Sequence, residues 1–311
     1  MKLSRRRLLS LAALYALPAA AGTPAPALTM LSAMAGAQFG EAARRHAAIG
    51  LRWLDLKDGL FGQNINELRL QDAGRVAAIA HQHGLRVWSL STALCASDVA
   101  AGEAAFRARH EPVLEHVLRL AAILKPRSIR MIAASLQPYP GGEGAMQAVE
   151  RDHGWVFAAY ADMARRIAAA GCIPLIENET GPTIFARPDG IVRFFERLGE
   201  PSARLTWDVQ NMWEAGVFPS LDVYRRLRPW IGCMHLKGGR AGPGGSTLAQ
   251  ASSLEQASWP VLAIVRAACD DGRVPVFSLN PSHGARPPGY DMWQTAQQDI
   301  AFLRQHTSVT E

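Results

Sequence analysis

The chain has 311 residues, 49% of them hydrophobic and 19% charged, which suits a folded protein with a full core and excludes a disordered one. The formal charge of +6 is concentrated at the front, where Lys2, Arg5, Arg6 and Arg7 supply four of it and leave +2 on the remainder. Charge therefore gives no ground for a nucleic-acid partner.

Ser4-Arg5-Arg6-Arg7-Leu8-Leu9 has the pattern of a twin-arginine export signal, followed by an apolar run through Leu17 and small residues around Ala21. Residues 1–27 are expected to be a signal peptide and a linker, and the mature protein periplasmic or secreted. The apolar run is shorter than the roughly 20 residues a bilayer requires, and no later stretch is long enough, so stable membrane insertion is not expected. Cys95, Cys172, Cys233 and Cys269 form no paired motif and read as small core residues.

In chain order, Leu28–Met34 is an apolar run and Gln38–Ile49 a helical stretch. Leu51–Lys57 alternates as a strand does, and Asn66–His83 is a helix stopped by Gly84. Arg86–Ser91 is a third strand, Glu103–Leu124 a long helix ended by Pro126, and Ser128–Ala133 a fourth strand. Gln137–Met146 is rich in Pro and Gly and reads as a loop on the rim of a site. A helix over Trp155–Ala170 precedes the fifth strand. Helices are expected over Pro188–Leu198, Leu221–Leu227, Leu254–Asp270 and Asp291–Arg304. The Gly-rich Gly238–Ser246 reads as a mobile loop, and Val274–Asn280 as the eighth strand.

Eight strand–helix alternations over one uninterrupted stretch point to an α/β fold, a (β/α)8 TIM barrel spanning 28–305 with a short tail at 306–311. Three buried-looking strands end in groups able to bind a metal: Ile173-Pro-Leu-Ile-Glu177, Leu205-Thr-Trp-Asp208 and Ile231-Gly-Cys-Met-His235-Leu-Lys237. The C-terminal ends of parallel barrel strands form the face on which active sites are built. Two carboxylates and an imidazole there make a candidate divalent-metal site. Each residue also has an ordinary reading: His235 as a core histidine, Asp208 as a helix cap, Lys237 as a salt-bridge partner. Asp55 and Lys57 end the second strand, as pocket residues or as an ion pair. Trp53, Trp88, Trp207 and Trp213 read mainly as packing, with stacking on a sugar ring as the alternative.

These strand ends resemble the xylose-isomerase-like sugar isomerase and epimerase superfamily. Glu177-Asn178, Asp208-Val-Gln-Asn211 with Ala215-Gly216, His235-Leu-Lys237 and Ser278-Leu279-Asn280-Pro281 follow that superfamily's last four strands in order. The resemblance implies a divalent metal (Mn²⁺, Mg²⁺, Co²⁺ or Zn²⁺) held by Glu177, Asp208, His235 and Asn280, with Glu177 and Lys237 catalytic. It implies a small carbohydrate or polyol substrate. Two positions depart from the pattern: Asn280 stands where a glutamate is expected, and Gly238 where an aspartate is. Asparagine can coordinate through its carbonyl oxygen but cannot take a proton; Ser282 and His283, just beyond it, could take over that role.

The leading expectation is an exported sugar or polyol isomerase or epimerase working by metal-assisted proton transfer next to a carbonyl. The alternatives are a metal-dependent lyase or dehydratase on the same barrel, or a catalytically silent carbohydrate-binding barrel. An abasic-site endonuclease shares the barrel but needs more histidine ligands and a more basic surface.

Overall fold

The computed structural model describes residues 25–310. Its wall is built from β1 (Ala27–Met30), β2 (Trp53–Leu56), β3 (Arg86–Leu94), β4 (Ser128–Ile132), β5 (Ile173–Glu177), β6 (Arg204–Asp208) and β7 (Ile231–Leu236). After a short hairpin, β8 (Gly239–Ala241) and β9 (Leu248–Ala251), comes the last wall strand, β10 (Val276–Leu279). The eight wall strands pair in the order β1-β10-β7-β6-β5-β4-β3-β2, every ladder parallel. A bridge between Leu31 and Asp55 brings β1 beside β2 and nearly closes the ring. This is the expected TIM barrel.

The connecting helices are α1 (Phe39–Ala48), α2 (Leu70–Gln82), α3 (Glu103–Leu124), α4 (Gly142–Asp152), α5 (Trp155–Ala169), α6 (Pro188–Leu198), α7 (Val209–Glu214), α8 (Leu221–Leu227), α9 (Val261–Asp271) and α10 (Met292–His306). Local chemistry sets their ends. α6 opens on Pro188, whose missing N–H costs nothing in a first turn, and closes on left-handed Gly199. α3 stops where Lys125 turns left-handed ahead of Pro126. Among the described residues no helix is long and apolar enough to cross a membrane.

Two expectations are corrected. The Pro/Gly segment 137–146 is a loop only as far as Gly141; from Gly142 the helix formers of Ala145–Arg151 carry α4. The Gly-rich segment after β7 is the β8–β9 hairpin, fastened further by Ala251 N–H to Ala285 O and Ala285 N–H to Ala249 O, each 2.9 Å. The twin-arginine segment lies outside the described residues. Beyond α10, Thr310 pairs with β1, its N–H donating to Pro26 O at 2.8 Å.

The strands are buried on both faces. In β6, Trp207 points outward and stacks on Tyr224 of α8, while Thr206 and Asp208 point inward. Each fully buried Trp, Phe or Leu of the outer layer is worth roughly 1.5–3 kcal/mol. Inside, Ala27, Trp53, Trp88, Leu175, Cys233 and Val276 form a separate apolar cluster. Trp53 meets Trp88 edge-to-face at 4.9 Å, with the Arg86 and Arg127 guanidiniums 4.1 and 4.6 Å from the Trp53 ring. This plug fills the N-terminal end of the bore and leaves the C-terminal end for polar residues.

Candidate active site

Two residues beyond the plug, the inward positions turn polar. Glu177 ends β5, Asp208 ends β6, and His235 lies at the corresponding height on β7, where Asp208 is its register partner. Glu177, Asp208 and His235 each offer a ligand atom within 4.8 Å of the others, and all three are buried. His235 Nδ1 is 2.7 Å from Glu177 Oε1 and 3.5 Å from Asp208 Oδ2. Asp208 is held from both sides. Asn178 donates to its carbonyl at 3.0 Å and accepts its N–H at 2.9 Å. Its Oδ1 caps α7 by accepting from Gln210 N and Asn211 N. The helix-cap reading of Asp208 thus holds for Oδ1, while Oδ2 faces Lys237 and His235.

Two cations complete the cluster. Arg130 of β4 is buried with Nη1 2.6 Å from Glu177 Oε2, and Lys237 Nζ lies 2.6 Å from Asp208 Oδ2. Asp55 accepts from Ser91 at 2.5 Å and from Ser278 at 2.9 Å, with His235 Nε2 4.0 Å away. Burial works against the charge on Glu177, but Arg130 and His235 outweigh it and hold the carboxyl below its usual range. Asp208 is held well below its range, Lys237 and His235 overcoming burial. Burial would strip the proton from His235, yet Glu177 and Asp208 raise it well above the ordinary histidine value. Three buried acidic side chains thus face an arginine, a lysine and a histidine.

The donor set fits a divalent ion. Glu177 Oε2 and Asp208 Oδ2 are buried and held by the ion pairs to Arg130 and Lys237, and two carboxylates with an imidazole suit the hard and borderline divalent metals. Arg130 and Lys237 oppose such an ion by occupying the same oxygens. Asn280 reaches the same cavity, with its Nδ2 3.3 Å from Ser278 Oγ and 3.4 Å from Ser278 O.

The cavity above these groups has a volume of about 290 Å³. Glu177, Asp208, Lys237, Asn280, His283 and Glu179 line it. Burial and the charge on Glu177 push the Glu179 carboxyl up to about 7. Among the described residues no tryptophan, tyrosine or phenylalanine lines it. Trp53 and Trp88 are in the plug, Trp207 packs on Tyr224, and Trp213 packs on Phe218 and donates to Ser246 O.

The rim explains the Gly238 departure. A Cβ on Gly238 would overlap the Ser252 carbonyl oxygen and lie 2.6 Å from Ser253 O, and one on Gly239 would lie 2.6 Å from Gln210 Nε2. The chain after the hairpin fills the volume an aspartate would need. Gln210 ties this edge to the β10 loop, donating to Gly238 O and accepting from His283 N–H, each 2.8 Å.

Sequence reasoning passed over Arg130. The available signal was an arginine in the middle of Ser-Ile-Arg-Met-Ile, a charge inside a buried strand that demands a partner. Of the two readings of Asp55 and Lys57, the ion pair does not form: Asp55 points into the bore and accepts from Ser278, while Lys57 lines the cavity, 3.9 Å from Asp58.

A parallel eight-stranded barrel with a Glu-Asp-His cluster at the C-terminal ends of neighbouring strands defines a class, the TIM barrels with a metal-competent site at their mouth. The chain belongs to the xylose isomerase-like TIM-barrel family, whose model matches residues 43–306. Solved structures share the fold at low identity. L-ribulose 3-epimerase is 18% identical over 91% of this chain and 94% of its own, with a TM-score of 0.66. The probable 3-DHS dehydratase AsbF of Bacillus anthracis is 14% identical over 90% and 98%, also at 0.66. A xylose isomerase-like TIM barrel protein from Mycobacterium smegmatis in complex with magnesium is 13% identical over 91% and 96%, again at 0.66. No curated protein matches the sequence.

Proposed function

We propose that this protein is a sugar or polyol isomerase or epimerase that moves a proton on a carbon next to a carbonyl. The observation that carries the reading is Glu177: a carboxylate at a strand end, kept ionised by Arg130 and His235, on the wall of a cavity sized for a small polyol. A divalent ion held by Glu177, Asp208 and His235 would polarise the carbonyl and stabilise the enediolate by several kcal/mol. Lys237 places a donor beside Asp208, where a substrate oxygen would lie. Arg130 keeps Glu177 charged and fixed. A positioned carboxylate base contributes about 10²–10⁴-fold. Structural relatives that are sugar epimerases, among them D-psicose 3-epimerase and a 3-keto-D-glucoside 4-epimerase, support the substrate class.

A dehydratase is the second reading. Glu179, at about 7, can carry a proton to a leaving hydroxyl at neutral pH, and the relative AsbF is a probable dehydratase. Incubating keto-sugars with the protein in D₂O separates the readings. Deuterium on the carbon beside the carbonyl, without loss of water, is expected for the first; a product lighter by one water marks the second. Neither outcome, with the sugar still bound, would leave a silent binding barrel. Export by the twin-arginine route belongs to the same proposal and rests on Arg5-Arg6. Mass spectrometry of periplasmic protein should show a new N-terminus near Ala21, and an intact one would refute cleavage.

A further inference from the structure

The β10 loop carries a second proton-handling group. We propose that His283 transfers a proton at this cavity from a side other than that of Glu177, with Glu214 as the residue that positions its ring. The inference rests on the proton-transfer reading above. His283 Nδ1 lies 3.0 Å from Glu214 Oε2, and Nε2 lies 2.8 Å from Lys237 Nζ. A carboxylate only accepts and an ammonium only donates. Both neighbours therefore demand one tautomer, with the hydrogen on Nδ1 and a lone pair on Nε2. A carboxylate behind an imidazole is the usual means of fixing a basic nitrogen toward a substrate.

The loop holding the ring is fixed. Gln210 Oε1 accepts the His283 backbone N–H at 2.8 Å, and Gln210 Nε2 donates to Ser282 Oγ at 3.0 Å. Asn280, the residue just after the same strand, cannot do this work, because an amide neither gives nor takes a proton. β10 stands three places round the ring from β5, so His283 and Glu177 enter the cavity from different sides. The His283 side chain is about a third exposed, which gives its proton a path to water. Its partner Lys237 is buried.

The step balances without any further reagent. Glu177 takes the proton of the C–H bond, and the electron pair moves into the carbonyl to give an enediolate. His283, protonated from solvent, gives its Nε2 proton to the same carbon from the other side, and the carbonyl re-forms with the centre inverted. Glu177 then releases its proton to water. In the reverse direction the two exchange roles. A substrate oxygen that takes over the Lys237 hydrogen bond frees Nε2 for this.

The test uses the full protein, ¹⁵N-labelled at histidine, and the four D-2-ketohexoses in D₂O. Long-range ¹⁵N–¹H spectra should show His283 with hydrogen on Nδ1 in the wild type, and Glu214→Gln should lose that preference. Wild type should place deuterium at C3 of both the recovered ketose and its C3 epimer. With the epimer whose C3–H faces Glu177, His283→Asn should keep exchange into the recovered ketose while epimer formation falls about 100-fold or more, the range for one lost acid–base group; with the opposite epimer it should lose both. Glu214→Gln should fall less, and Glu214→Asp should recover part of the loss. Hydrogen on Nε2, a His283→Asn variant that epimerises like wild type, or one that loses exchange with both members of an epimer pair would each overturn the proposal. No exchange by wild type on any of the four sugars would overturn the proton-transfer reading, and this proposal with it.

Discussion

Arg130 Nη1 and Glu177 Oε2 face each other at 2.6 Å across β4 and β5, both almost wholly buried. Lys237 and Asp208 repeat the relationship two strands on. These cations occupy the oxygens a metal would use, so removing either should tighten a divalent ion. For Arg130→Met and Lys237→Met, titration calorimetry with Mn²⁺ is expected to show affinity raised roughly tenfold or more, since a unit charge about 5 Å away is worth a few kcal/mol at an effective dielectric near 20. Without metal both variants should melt lower, because a buried carboxylate left unpaired costs about 3–5 kcal/mol, and Mn²⁺ should restore the melting point. Unchanged affinity in both would show that these cations do not compete with the ion.

Asn280→Glu adds an anion to the same cavity wall. Mn²⁺ should bind about tenfold tighter than in the wild type, through added charge and a fourth oxygen donor. Equal affinities would place residue 280 outside the coordination sphere.

Asp299 is buried on α10, with Oδ1 accepting Leu254 N–H at 2.6 Å. Burial pushes its carboxyl from 3.8 up to about 7. Between those values the folded protein holds a proton that the unfolded chain has lost, so this residue makes stability fall as pH rises from about 4 to 7. Asp299→Asn keeps the acceptor and removes the titration. The variant should match wild type near pH 4 and exceed it at pH 8 by on the order of 4 kcal/mol, read from denaturant midpoints. A constant difference across that range would refute the assignment.

His46 works in the opposite sense. It is fully buried between Ala42 O and Met30 O, and burial lowers it from 6.5 to about 4. The unfolded chain takes up the proton first as pH falls, so stability present above 6.5 is lost toward 4. His46→Asn should start less stable at pH 7 and lose less between pH 7 and 4. A parallel loss in both proteins would show that His46 does not titrate in this window.

Gly238→Ala adds one methyl group against fixed backbone at Ser252–Ser253. Overpacking of this kind costs about 1–3 kcal/mol, and Gly238→Asp should cost more. Melting curves no lower than wild type would show that the chain after the hairpin yields easily.

How much of this was legible depends on sequence distance. α3, α6 and α8 have the bounds their sequences predict, because caps and proline are local signals. The three strand ends were legible because an acid or imidazole closing an apolar run is anomalous wherever it occurs. The partners were not. Asn178 and Asp208 clamp each other from 30 residues apart, Asp55 and Ser278 from 223. No pattern along the chain encodes those pairings; they follow from the ring order of the strands. α4 was hidden because Pro140 and Gly141 punctuate the chain just before the helix formers begin.

The hairpin and Gly238 also bear on redesign of the mouth. The chain after β9 rests where a side chain at 238 would stand, so the two are one steric unit and a larger residue at 238 requires that segment to move. Gly284 is in the same position, its absent Cβ facing the backbone of Gln250 and Ala251. An acid cannot be placed at 238 while that segment stays where it is, so any carboxylate engineered into this mouth must enter at another position of the wall.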